Sequence, residues 1–196
     1  FSGTIIAVLI LLALLAPLLA PYDPNAVNLD EARLSPSFRH PFGTDEQGRD
    51  ILSRVIYGAR ISLSIALAAT FLALLLGILI GLSAGYFGGA IDTIFQMLID
   101  ITLAFPSLLL AIGITVVLRP GFFSVLAALG LVGWASLARL IRGEVLSIKE
   151  REFVEAARAG GSGRSRILFK HLLPNCVPVI IIAASLKIGA FILGEA

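Results

Sequence analysis

Five long apolar stretches, separated by two polar segments, set the plan of this chain: residues 5–20, 61–85, 91–118, 122–141 and 177–196. A bilayer core ~30 Å thick takes about 20 apolar residues per helical span, so the pattern predicts five crossings, the first of them short. The charges inside these stretches are few: Asp92 and Asp100 in the third, Arg139 at the end of the fourth, Lys187 and Glu195 in the last. Pro106 removes a backbone donor in the middle of the third stretch and is predicted to bend or interrupt that helix. The sequence opens at Phe1 rather than at a methionine and stops at Ala196 without a polar boundary, so both end spans are expected to be cut short. No basic residue precedes residues 5–20 and Pro21 follows Ala20, which argues against a cleaved signal peptide.

The two polar segments differ in charge. Residues 21–60 hold six acids (Asp23, Asp30, Glu31, Asp45, Glu46, Asp50) against five arginines (Arg33, Arg39, Arg49, Arg54, Arg60). Residues 139–174 hold eight bases (Arg139, Arg142, Lys149, Arg151, Arg158, Arg164, Arg166, Lys170) against four glutamates. Lys and Arg near span ends mark the cytoplasmic side and acids count little. The expectation is an external loop over residues 21–60, a cytoplasmic segment over 142–175 and a cytoplasmic amino end. Three predicted crossings separate the two segments, which also puts them on opposite sides.

Composition narrows the class further. Of 196 residues, 58% are apolar and 14% charged, with a mean hydropathy of +0.97, where soluble domains run near 45–50% and about 25%. A soluble enzyme, a disordered regulator and a disulfide scaffold are excluded. Cys176 is the one cysteine, and a net charge of +2 is too small to imply nucleic acid as a partner. No internal repeat is visible, so residues 1–196 read as one all-α, polytopic transmembrane domain in contact with lipid.

Within the second span, Ala69, Ala73, Gly77, Gly81 and Gly85 recur at a spacing of four and share one stripe. Small residues allow the close approach that drives association in lipid, so this is a helix-packing face, either within the bundle or against another subunit. Asp92 suits a helix start. Asp100 lies deeper, either as a structural hydrogen-bond partner or as a pathway-lining group with Pro106. Lys187 is similar, or snorkels to an interface. Isolated His40 and His171 make poor metal sites, so no metal or catalytic centre is expected.

The segment 147–161 is filled with good helix formers until Gly160 and Gly161 stop it, and a second helix is predicted to start at Ser162. The first helix is amphipathic, with Phe153, Ala156, Ala157 and Gly160 on one side, and suits a groove on another protein. Glu155-Ala156-Ala157, three residues, Gly161 and later Leu173-Pro174 resemble the E-A-A loop of permease subunits of ATP-binding-cassette importers, although His171 stands where that pattern has isoleucine. His40-Pro41-Phe42-Gly43-Thr44-Asp45, Gly48-Arg49-Asp50, Gly85-Tyr86-Phe87-Gly88-Gly89 and Ala104-Phe105-Pro106-Ser107 look like the C-type permeases of the dipeptide, oligopeptide and nickel branch.

That resemblance implies a helix bundle of the type I importer permease kind, with five of six expected spans present, in a prokaryotic plasma (inner) membrane. It implies half of a translocation channel for di- or oligopeptides, nickel or another small solute, peptides being the preferred reading. The implied partners are a second homologous permease subunit, two ATPase subunits and an extracytoplasmic substrate-binding protein. Phe153, Glu155, Ala156, Ala157, Arg158 and Gly161 would dock on the ATPase. ATP and magnesium would belong to that partner: this chain has no Gly-x-x-x-x-Gly-Lys-[Ser/Thr] run to cradle phosphates, and no cofactor or enzymatic activity of its own is expected. Competing classes are an ion-gradient-driven transporter using Asp100 and Lys187, a membrane-embedded enzyme, and a scaffolding subunit. The external loop either receives the binding protein or packs on the bundle.

Overall fold

A computed structural model describes residues 10–119 and 121–195. Among these the chain is helical, with no strand and one isolated antiparallel bridge, Thr44 to Asp50. The helices are α1 (Ala16–Leu19), α2 (Ile51–Phe87), α3 (Gly89–Ala104), α4 (Ser107–Leu118), α5 (Phe122–Ile148), α6 (Glu152–Ala159) and α7 (Arg164–Glu195). Inside α7, residues Ile167–Leu172 form a π-helical stretch.

Three helices, α2, α5 and α7, are long and apolar enough to cross a bilayer, and α3 with α4 makes a fourth if the bent pair is one span. The break falls where Pro106 predicts it: Phe105 and Pro106 are extended, and α3 and α4 meet at 91°. The expected span at residues 5–20 lies partly outside the described residues. Compact packing divides the chain into one unit running to Ser64 and another starting at Ile65.

α2 begins at Ile51, ten residues before the apolar stretch that announced it. The Asp50 carboxylate accepts a 2.8 Å hydrogen bond from the Ser53 N–H, which occupies one of the backbone donors that a helix start leaves free. This cap carries the helix back across Arg54 and Arg60, charges that hydropathy alone assigns to the loop.

From Ile65 onward the bundle closes around small residues. Ala69 and Ala73 are fully buried. Built onto Gly77, a Cβ would lie 2.8 Å from the Leu137 Cβ; on Gly81, 2.7 Å from the Ala138 carbonyl oxygen; on Gly85, 2.7 Å from Val145 Cγ1. The stripe of α2 thus abuts α5 within this chain, at a spacing that only glycine permits in its lower half. On the opposing helix, Gly133 receives the Phe191 ring of α7. Below this layer Leu82, Ile141, Val145, Ile148, Val154, Ile167, Leu172, Cys176 and Ile180 form one apolar cluster. The π stretch serves it, because bonds from i to i+5 let residues five apart share a side, and Ile167 and Leu172 are both buried.

Candidate functional site

α6 is eight residues long and joins the bundle through Val154, which is completely buried in the lower cluster. Arg158 lies over the Tyr86 ring at 5.9 Å from its centroid, near the end of α2, a geometry that attracts a cation to the ring face. Phe153, Glu155, Ala156 and Gly160 are exposed, whereas Ala157 is half-buried. The amphipathic reading put Ala157 on the open face with Phe153 and overlooked Val154, whose apolar side chain at one helix position off that face was the available signal. One face of α6 therefore belongs to the bundle and the other is open.

The end of α6 is a tight reversal. The Gly161 N–H donates to the Arg158 carbonyl at 3.0 Å and the Ser162 N–H to the Ala157 carbonyl at 3.0 Å, the paired bonds of a Schellman turn. Gly161 has φ +76°, a conformation with little cost for glycine and a real one for any β-branched residue. The second helix starts at Arg164, two residues later than predicted. His171, in the π stretch, has its ring 6.4 Å from that of Phe153.

Two ion pairs connect α3 to α5. Arg142 grips Asp92 with both ends of its fork, Nε to Oδ1 at 2.5 Å and Nη2 to Oδ2 at 2.7 Å, with both side chains largely buried. Eight residues further along α3 and three residues earlier on α5, Arg139 pairs with Asp100 through a single hydrogen bond, Nη2 to Oδ1, and both side chains remain exposed, at 52% and 65%. Sequence reasoning singled out Asp100 but not its partner, since pairing across 39 residues depends on how two helices meet. Lys187 sits on the face of α7 that also carries Ile180 and Phe191, its ammonium 5.7 Å from the Phe191 ring centroid. Just past the pairs, Phe105 and Pro106 end α3, and an open apolar cleft of about 580 Å³ lies between α4 and Leu131 of α5.

The polar loop before α2 is an ordered knot. His40 is buried, its Nδ1 2.9 Å from Asp50 Oδ1, and its ring stacks at 4.8 Å on Tyr22. A carboxylate can only accept, so Nδ1–H donates. Burial by itself would raise the Asp50 carboxyl, but the bonds from His40 and from the Ser53 N–H and hydroxyl outweigh it and hold it below the usual carboxylate range. Asp45 is likewise held well below that range: desolvation is outweighed by the N–H groups of Arg49 and Gln47 and by the Arg49 and Arg54 side chains. At Gly48, φ +70°, a side chain would run into the Asn28 carbonyl, so the sequence run from His40 to Asp50 records a turn built on close backbone approach. His40 is engaged with Asp50, with Glu31 Oε2 3.7 Å from its other nitrogen.

Comparison with known proteins locates this arrangement. Residues 77–196 match the family described as binding-protein-dependent transport system inner membrane component. Residues 1–36 match the N-terminal transmembrane domain of oligopeptide transport permease C. The chain is 43% identical over 98% of its length to the oligopeptide transport system permease protein OppC of Bacillus subtilis (strain 168), and spans 63% of that relative. It is 44% identical, again over 98% of its length, to the dipeptide transport system permease protein DppC of Alkalihalophilus pseudofirmus, of which it spans 63%. Identity to the nickel transport system permease protein NikC of Escherichia coli (strain K12) is 40% over 96% of the chain and 68% of the relative. Among solved structures, an amino acid ABC transporter shares the fold, with a TM-score of 0.53, 20% identity and coverage of 74% of this chain and 75% of that one.

Proposed function

The chain belongs to the family of binding-protein-dependent transport system inner membrane components, and from that premise we propose that it is the C-type permease subunit of an ATP-driven importer. In this reading it forms half of a channel with a second, homologous permease, receives solute from an extracytoplasmic binding protein and couples to two ATPase subunits. Peptides are its cargo. The relatives named above are oligopeptide, dipeptide and nickel permeases, and the peptide reading follows the oligopeptide and dipeptide permeases, at 43% and 44% identity against 40% for the nickel permease. The amino end and the segment 139–174 face the cytoplasm, as the excess of Lys and Arg there favours.

The observation that carries this reading is the two-sidedness of α6. Val154 and the Arg158–Tyr86 contact tie the helix to α2, α5 and α7, while Phe153, Glu155 and Ala156 stay open. A helix held this way moves as one body with the bundle. An ATPase groove seated on its open face then transmits closure of the ATPase pair as a displacement of the bundle. Alternating access needs two packings whose balance ATP biases. Gly161 sets the angle at which the helix leaves the bundle.

The test is the complex reconstituted in vesicles with its ATPases and binding protein. Ala156→Trp on the open face is expected to leave the permease folded and to abolish peptide-stimulated ATP hydrolysis, and Gly161→Val to weaken it. Unaltered coupling in Ala156→Trp would remove the docking role.

A further inference from the structure

We propose that His40 is a proton-operated clasp on the loop before α2: in mildly acid medium it takes a proton at Nε2 and draws the Glu31 carboxylate onto it, tightening the loop against the start of the helix. The clasp stands on residues 22–53 alone and goes beyond the transport reading above.

An unfilled acceptor is the first observation. His40 is buried, and with Nδ1–H committed to Asp50 its Nε2 carries a bare lone pair. Among the described residues it is one of two buried side-chain polar atoms without a hydrogen-bond partner, the other being Thr70 Oγ1. Such an atom is uncommon and bears the full penalty of its lost hydration. Glu31 Oε2 stands 3.7 Å away, an acceptor facing an acceptor, about 0.7 Å beyond ordinary bonding distance.

The surroundings of the ring are the second. Tyr22, just after α1, stacks on it; Asp50, at the start of α2, holds Nδ1; Glu31, from the 3₁₀ turn Leu29–Glu31, faces Nε2. Glu31 is itself held in place, its Oε1 3.0 Å from Arg39 Nη1 and its Oε2 accepting from Asn28 Nδ2 at 3.0 Å. Two carboxylates and one guanidinium thus lie around the imidazole, a net negative set that an imidazolium neutralises. Asp50 keeps its charge in mild acid: burial raises its carboxyl, but the bonds from His40 and Ser53 outweigh that and hold it below the usual carboxylate range.

Coupling to the helix is the third. Histidine is the side chain that ordinarily changes charge between pH 5 and 8. Once protonated, the ring donates from both nitrogens, and a small movement of Glu31 closes the gap at Nε2. The bond so formed ties the 3₁₀ turn to Asp50, which caps α2 through Ser53; the Ser53 hydroxyl oxygen in turn accepts from the Tyr22 N–H at 3.1 Å. Only the protonated ring can make that bond. By linkage, therefore, the closed loop gains stability as pH falls through this range and loses it as pH rises. In the orientation proposed above the loop faces the outside medium, so the start of α2 is held more firmly in mild acid than in mild alkali.

The test is amide hydrogen exchange of the whole chain in lipid nanodiscs at pH 5.5 and 8.0, corrected for the intrinsic pH dependence of exchange. The N–H groups of Asn28, Arg33 and Thr44 close the loop on the carbonyls of Gln47, Asp45 and Leu34. Peptides carrying them are expected to be about tenfold better protected at pH 5.5, the size of one hydrogen bond to a charged group. In Glu31→Gln the response is expected to vanish, because an amide can donate to the bare Nε2 or accept from Nε2–H. A second readout needs no change in the loop. In ¹⁵N-histidine-labelled chain carrying His171→Gln, which removes the other imidazole, the Nε2 resonance is expected to pass from bare to protonated between pH 8.0 and 5.5. Equal protection at the two pH values, a response of the same size in Glu31→Gln, or an Nε2 that stays bare at pH 5.5 would overturn the clasp, and none of these results bears on transport.

Discussion

Replacing Gly81 with alanine puts the packing argument to a quantitative test. The new methyl would lie 2.7 Å from the Ala138 carbonyl oxygen and 2.9 Å from the Ile141 Cβ, where ordinary contact begins at 3.4 Å. Neither neighbour is the end of a flexible side chain, so α2 and α5 have to part by about half an ångström, enough to forfeit about a quarter of each attractive contact at that level. Overpacking of this kind costs about 1–3 kcal/mol. Alanine returns up to about 1 kcal/mol through its better helix propensity, which leaves a net loss of about 1–2 kcal/mol. For a chain of this size that lowers the unfolding midpoint by about 3–6 °C. The control is Gly143→Ala, on the same pair of helices, where nothing lies within 4 Å; it gains the propensity without the clash and is expected to match or exceed wild type. Thermal unfolding of the chain in detergent reads both. A Gly81→Ala protein as stable as wild type, or a Gly143→Ala protein that is the weaker of the two, would refute the claim that the stripe is a close-packed seam.

Other consequences follow from the same contacts. Val154→Ala is expected to destabilise the chain by about 1–2.5 kcal/mol, with proteolysis within residues 149–163 as the readout, because Val154 is the buried anchor of α6. Arg142→Lys keeps the charge but loses the fork, and is expected to cost less than Arg142→Ala, which strands Asp92 and costs about 3 kcal/mol; thermal unfolding ranks the two. In the loop before α2, Asp45 and Asp50 have carboxyls depressed by folding, so their contribution is complete above the ordinary carboxylate range and is lost only as pH falls below it through the folded value. Protease resistance of residues 21–50 is therefore expected to persist at neutral pH and to fail in strong acid, whereas Asp50→Ala fails already at pH 7.

Much of this was legible in the chain alone. Apolar runs of span length announced a membrane bundle, because a bilayer demands about 20 apolar residues whatever the neighbours are. Pro106 announced the break between α3 and α4, since a missing donor is a local property. Gly160 and Gly161 announced the end of α6 for the same reason. The start of α2 at Ile51 was hidden, although Asp50 and Ser53 spell a cap, because hydropathy reads Arg54 and Arg60 as loop. The π stretch in α7 had no signal at all in the sequence pattern.

What only the tertiary structure decided is which faces meet. Periodicity placed Ala69, Ala73, Gly77, Gly81 and Gly85 on one stripe, and α5 determined what that stripe touches. Phe153, Ala156 and Ala157 shared a face by sequence, yet the pocket formed by α2, α5 and α7 took Val154 and left Ala157 half-buried. Asp100 was conspicuous by its depth, and only the crossing of α3 with α5 supplied Arg139. Local chemistry determines where helices begin, bend and stop. Which charge finds which partner depends on contacts between residues far apart in sequence, and those exist only once the bundle has closed.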